Sequence, residues 1–177
     1  MGDPKKQRKK YSKPKHPWEE GRIKEEKELK MEYGLKNKKE IWKTESKLKK
    51  IKDQTKRLIT NKTEQAKKEE KELLLKLYKL GLIKKSAKLD DILSLDLKSI
   101  LDRRLQTLVF KKNLSTSVKQ ARQFITHGHI TISSKKIDVP SYLVNLDEEN
   151  KISFFGRSLL SKDDHPEAAK LDKNGQK

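Results

Sequence analysis

The sequence predicts an α+β protein: a basic N-terminal arm and helical region, followed by a small module of two helices and a short twisted antiparallel sheet. Three observations predict it. Leu, Ile, Val and Phe number 25 in residues 89–155 but only 8 in residues 1–72, so the second stretch can build a core and the first cannot do so alone. Within the richer stretch, apolar residues recur at helical spacing from Leu97 to Val109 and from Val118 to Ile125. From Ile130 onward they alternate with polar residues, the period of a strand.

Residues 1–18 carry seven cations and one acid, with Pro4, Pro14 and Pro17, and read as an extended arm. A helix is expected over 19–33, ended by Gly34. A second runs from about Lys38 to Ile59 on a thin stripe of Ile41, Trp42, Leu48, Ile51 and Leu58. A third covers about Glu64 to Leu80, with Leu73, Leu74, Leu77 and Leu80 on one side and Gly81 as its C-cap. LDDILSL, residues 89–95, reads as a short helix with its acids at the start, where the dipole favours them.

A single helix is expected from Leu97 to about Lys112, with Asp96 as its N-cap and Arg103, Arg104, Lys111 and Lys112 opposite the apolar side. Ser117 and Gln120 form a capping-box pair that opens the next helix. Its Val118, Ala121, Phe124 and Ile125 face the core, Lys119, Arg122 and Gln123 stay outside, and Gly128 permits the closing turn. Ile130 and Ile132 form a strand, Ser133 to Lys136 the turn, and Ile137 and Val139 the start of the return strand. Residues 142–146 and 151–155 read as further short strands around an acidic turn. The divisions are an arm, 1–18; a helical region too poor in apolar residues to fold without a partner, 19–96; the α+β module, 97–158; and a polar tail, 159–177.

Composition narrows the function. Charged residues make up 40% of the 177 and the formal net charge is +19, which points to a polyanionic partner. Residues 1–72 alone hold 25 basic against 14 acidic residues. A membrane-surface protein would need an apolar face or lipid site, and neither is visible. The longest aliphatic run is Leu73-Leu74-Leu75, so no transmembrane span is expected. MGDPKKQRKKYSK has no apolar stretch behind it and does not read as a secretory signal. The chain has no Cys, so thiol chemistry, disulfides and thiolate zinc sites are excluded. No glycine-rich nucleotide loop is present.

Catalytic motifs are weak. Ser46-Lys47-Leu48-Lys49 fits S-x-x-K, which a Lys-rich helix matches by chance. His127-Gly128-His129 offers two imidazoles, but only Asp138 is a further candidate ligand, so no metal or other cofactor is expected. The productive reading is electrostatic. The helix end and the hairpin are expected to bring Lys119, Arg122, His127, His129, Lys135 and Lys136 toward one side, with the capped start at Ser117 and Gln120 adding backbone donors. The plainer explanation is that these cations only solvate a small domain; their clustering in a chain of +19 favours RNA. In the arm, Tyr11, His16 and Trp18 interleave with Lys5, Lys6, Arg8, Lys9, Lys10, Lys13 and Lys15, a pattern suited to stacking and cation–π contact with nucleic acid.

Arg104-Leu105, Ser117-x-x-Gln120-Ala121-Arg122, residues 125–130 (ITHGHI) and Lys136-x-Asp138-x-Pro140-Ser141-Tyr142 together resemble the S-four RNA-binding domain. Asp3-Pro4-Lys5, residues 11–19 (YSKPKHPWE), residues 33–42 (YGLKNKKEIW) and residues 101–107 (LDRRLQT) are similar to the archaeal and eukaryotic type of small-subunit ribosomal protein four. The similarity covers nearly all of residues 1–160. It implies an S-four-type, αL-like module and a structural, non-enzymatic constituent of the small ribosomal subunit. Such a protein binds small-subunit ribosomal RNA directly, nucleates assembly of the subunit body and contributes to translational accuracy. The implied partners are that RNA, small-subunit ribosomal protein five, other small-subunit proteins, and messenger RNA where it enters the subunit. No membrane is implied, and the location is the cytoplasmic ribosome. Some bacterial relatives carry a four-cysteine zinc site, from which this chain departs, and the family often has Asn or Gly where Ser133 and Ser134 stand. The alternative is a free-standing RNA-binding or RNA-modifying factor that uses the same module.

Overall fold

A computed structural model describes residues 9–61, 63–158 and 160. Eight helices and three strands follow one another among them: α1 (Glu20–Glu32), α2 (Lys38–Thr60), α3 (Glu64–Lys79), α4 (Leu89–Leu93), α5 (Leu97–Asp102), α6 (Leu105–Lys111), α7 (Val118–Thr126), β1 (Ile130–Ile132), β2 (Lys135–Lys136), α8 (Leu146–Glu149) and β3 (Ile152–Phe154). The chain is α+β, as the patterning predicts.

The helix ends follow local chemistry. Thr63 caps α3 by accepting from the Ala66 N–H, and Ser117 caps α7 by accepting from the Gln120 N–H at 3.2 Å. Gln120 turns its own side chain one residue further back than a capping box requires, accepting from the Thr116 N–H at 2.7 Å. The ends of α1, α3, α6 and α7 share one pattern. The residue after the cap (Gly34, Gly81, Asn113 or Gly128) has positive φ, and crossed backbone bonds satisfy the last carbonyls. Asp96 stands at the N-cap of α5 but makes no side-chain capping bond.

One expected helix is two. The apolar period continues through residues 97–111, yet the backbone breaks at Arg103 and Arg104. The cause is distant in sequence. The Leu105 N–H donates to the Tyr142 carbonyl at 2.8 Å, Leu143 bridges Arg104, and the Thr107 hydroxyl donates to the Leu101 carbonyl at 2.8 Å. These partners satisfy groups that a continuous helix would pair internally.

The sheet has the order β2-β1-β3 and is antiparallel throughout, with Ile132 opposite Lys135 on one side and Ile152 on the other. Ser133 and Ser134 both have positive φ, 49° and 69°, so the hairpin closes on a two-residue turn of the type that matches strand twist. The return strand is Lys135–Lys136; Ile137 adds one more bond to Ile130, while Val139 leaves the ladder and is exposed. The stretch expected as a strand over 142–146 makes only the Arg104–Leu143 bridge. The acidic turn after it is helix α8, because Asn145 and Glu148 cap each other's backbone.

The packing shows how an apolar-poor region is held. The module's core joins Leu105, Leu108, Val109, Ala121, Phe124, Ile125, Ile130, Ile132, Val144 and Ile152. Leu48, Leu58, Leu73, Leu77 and Ile92 form a second cluster among α2, α3 and α4, completed by Leu95 and Ile100. Tyr33, Leu35 and Ile41 form a third, completed by Leu101. Short helix α5 thus supplies Ile100 and Leu101 to the helical region whose own stripes are thin. Helix α1 has almost no apolar stripe; its buried Glu26 instead takes bonds from Arg22, Trp42 and Lys38, tying it to α2. Burial pushes the Glu26 carboxyl up, and those three partners more than reverse it, leaving the pKa below the ordinary carboxylate value.

Candidate nucleic-acid interface

The cations expected on one face are carried by α7 and β2. Lys119, Gln123 and His127 are exposed along α7, and Lys135 and Lys136 are exposed on β2. The Lys136 side chain lies across Gly128, whose missing Cβ would stand 1.8 Å from the Lys136 Cε. The tight helix end therefore lets the hairpin fold its ammonium back over the α7 terminus. His129 is half-buried; its ring meets Phe124 edge-on, and its Nδ1 is 2.8 Å from the Ser158 hydroxyl. The His127 and His129 rings are 6.4 Å apart. Among the described residues no three His, Asp or Glu side chains converge as a metal site, and no helix is long and apolar enough to cross a membrane.

The three arginines of the expected set that lie in the module have a different placement. Arg104 is buried and donates to Glu40 at 2.6 Å. Arg122 donates to both Glu40 oxygens, at 2.9 and 3.3 Å. Arg103 donates to Glu149 at 2.7 Å and to the Val144 carbonyl at 3.1 Å, and its guanidinium rests on Gly81. The sequence pattern placed these cations outward because their carboxylate partners lie far away in the chain. Lys111 pairs with Asp102 at 3.1 Å while remaining half exposed, and Lys112 is partly buried.

The joint that organises this side is polar. Gln106 is buried and its amide nitrogen donates toward the Gly34 and Val118 carbonyls at 3.0 Å and the Tyr33 carbonyl at 3.3 Å. Its oxygen accepts from Arg122 at 3.4 Å. Gly34 fits there because a Cβ would meet the Gln106 amide and Val118 at 3.1 Å. Burial raises the Glu40 pKa, but hydrogen bonds from Arg122 and Arg104 and their charges outweigh it and hold the carboxyl below its ordinary range.

Beside this joint opens a cleft of about 320 Å³ between α2 and the module. Lys43, Thr44 and Lys47 line it from α2; Arg104, Arg122, Pro140 and Ser141 line it from the other side. The sequence reading did not single out Lys43 or Lys47. The available signal was the spacing of Glu40, Lys43, Thr44 and Lys47, which puts all four on one helical face. Burial, with the nearby Lys76 charge, lowers the Lys47 pKa.

The arm is tethered at its described end. Tyr11 lies under Lys39, 5.7 Å from ammonium to ring centre, and the Ser12 N–H donates to the Ser46 hydroxyl at 3.0 Å. That bond gives Ser46 of the S-x-x-K match a structural partner. Arg22 donates to the carbonyls of His16 and Pro17. Lys9, Lys10, Lys13, Lys15 and His16 are exposed, and Trp18 is 90% exposed. Lys5, Lys6 and Arg8 lie outside the described residues, as does most of the polar tail.

Comparison with known proteins fits this layout. The S4 domain family matches residues 103–150. The chain is 52% identical over 168 residues to the small ribosomal subunit protein uS4 of Methanococcus aeolicus, covering 94% of this chain and 95% of that protein. It is 48% identical over 170 residues to the uS4 protein of Thermoplasma acidophilum, covering 94% and 85%, and 46% identical over 169 residues to that of Methanococcus maripaludis, covering 94% of each.

Proposed function

Because the chain belongs to the uS4 family of small ribosomal subunit proteins, we propose that it is a structural subunit that binds small-subunit ribosomal RNA directly. The RNA-modifying alternative would require a separate catalytic unit. The uS4 relatives, matched over 94% of this chain, are ribosomal proteins, structural components rather than enzymes, and this chain is accordingly not an enzyme.

The observation that carries the RNA reading is that exposed cations stand on separate packed elements. Lys119 and His127 lie on α7, Lys135 and Lys136 on β2, and Lys43 and Lys47 on α2, whose Glu40 is tied to α7 through Arg122. Cations held by helices and a short hairpin keep their spacing, which suits the fixed phosphate pattern of folded RNA better than a flexible charged strand. Exposed Trp18 beside Lys15 and His16 supplies a flat surface for an unpaired base. In this reading the arm and the module bind the same RNA, and early binding nucleates the subunit body. Contacts with small-subunit protein five, other subunit proteins and incoming messenger RNA, and through them an effect on decoding accuracy, belong to the same proposal. So do the cytoplasmic ribosomal location and the division of the chain into arm, helical region, module and tail.

Quantitative fractionation tests it. A structural subunit remains at one copy per small subunit after a high-salt wash, whereas a loosely bound factor is released; release would reject the structural role.

A further inference from the structure

Among the described residues lining the α2 cleft, Glu40 is the single carboxylate, facing Lys43, Lys47, Arg104 and Arg122. Its position is electrostatically costly for a protein that attracts phosphate, because a carboxylate lowers the positive potential of the surface around it. Its contacts show what it gains. Glu40 Oε1 accepts from Arg122 Nη2 at 2.9 Å; Oε2 accepts from Arg104 Nη2 at 2.6 Å and Arg122 Nη1 at 3.3 Å. Arg122 continues to Gln106, which reaches the end of α1 at Gly34 and the start of α7 at Val118. One carboxylate on α2 thereby ties together the helices that carry the cations.

We propose that Glu40 is a positioning residue for RNA recognition: through the Arg104 and Arg122 forks it holds the lysines of α2 and the cationic face of α7 at one fixed spacing, so that they meet folded RNA as a single surface. Arg122 then acts through this joint, not as a phosphate ligand. The inference rests on the proposed RNA-binding function and adds a residue that works without touching RNA. Its consequence is an opposite sign for two kinds of binding. Removing the Glu40 charge makes the cleft more positive, which favours any polyanion, but loosens the spacing, which penalises only a partner of fixed shape.

The test uses the full chain, with the small-subunit ribosomal RNA of Methanococcus aeolicus as the folded probe and poly(U) as the shapeless one, at constant salt. Glu40→Gln is expected to bind poly(U) as tightly as the parent or more tightly. Its affinity for the ribosomal RNA is expected to fall about tenfold, the scale of a modest coupling between sites. A ribosomal-RNA affinity that is unchanged or higher overturns the inference, as does an equal loss on both probes, which would make Glu40 only a stability element. Arg122→Lys gives a second reading because it keeps the charge and loses the fork. It should lower discrimination while leaving the salt slope on ribosomal RNA unchanged; discrimination equal to the parent's, or a shallower slope, overturns the positioning role. If the parent protein itself shows no preference for ribosomal RNA over poly(U), the proposed function fails; a preference that both variants retain overturns this inference alone.

Discussion

Gln106 donates from its buried side-chain amide to the carbonyl of Gly34, 72 residues earlier in the chain, at 3.0 Å. That bond joins the end of α1 to the first turn of α6, and the same amide reaches Val118. Gln106→Leu would leave buried carbonyls without their donor, which costs about 1–3 kcal/mol. Urea unfolding should show a lower midpoint with an unchanged slope, since the joint belongs to one cooperative unit. A midpoint equal to the parent's would mean that water replaces the amide.

Gly128→Ala should destabilise for a backbone reason. Its φ of +73° costs a side-chain-bearing residue roughly 1–2 kcal/mol. The overlap with Lys136 involves the end of a flexible side chain, which can move away. The double variant with Lys136→Ala should therefore recover little stability. Full recovery would make crowding, not φ, the cause. Gly21→Ala is the control: it lies inside α1 with nothing near its missing Cβ, and should stabilise by about 0.5–1 kcal/mol.

The hairpin turn offers a gain. Ser133 and Ser134 both occupy the left-handed region, which Asn and Gly enter more easily. Ser133→Asn with Ser134→Gly should raise stability by about 1 kcal/mol, read from the thermal midpoint. The register Ile132–Lys135 should persist in NMR cross-strand contacts; a shifted register would contradict the turn geometry.

How much of this was legible in sequence depended on distance along the chain. Helix ends with a local cause were readable: Ser117, Gly34, Gly81 and Gly128 each mark a terminus that the structure has within a residue or two. The break at Arg104 was not, because Leu105 takes its carbonyl from Tyr142 while the apolar period runs on unbroken. Helix α8 was hidden inside an acidic turn whose capping pair, Asn145 and Glu148, was not recognised. For the candidate site, the α7 and hairpin cations were visible from their local pattern. The inward turn of Arg103, Arg104 and Arg122 was not, since their acidic partners lie 46, 64 and 82 residues away.

Acid should loosen the helical contacts. Glu26 and Glu40 both have folded pKa values below 4.5, so each contributes stability that is fully present above that pH. As pH falls below about 4.5 the unfolded chain takes up protons first, and stability declines until the folded carboxyls also protonate. Tyr33 works in the opposite direction. Burial and the Asp102 and Glu32 charges push its hydroxyl up to about 12, so its contribution is present below pH 10 and lost as pH rises from 10 toward 12. Urea melts from pH 7 to 3 should show a shallower acid decline for Glu40→Gln than for the parent, and identical slopes would contradict the pairing.

The central claim is that the rigidly spaced cations of α7, the hairpin and α2 grip the phosphates of folded ribosomal RNA. Its most direct test is the equilibrium affinity of the full chain for small-subunit ribosomal RNA as salt is raised. With six to ten phosphates engaged, affinity should fall by about 10³ to 10⁵ between 50 and 200 mM salt, on the scale established for double-stranded DNA. An affinity nearly independent of salt would contradict the claim.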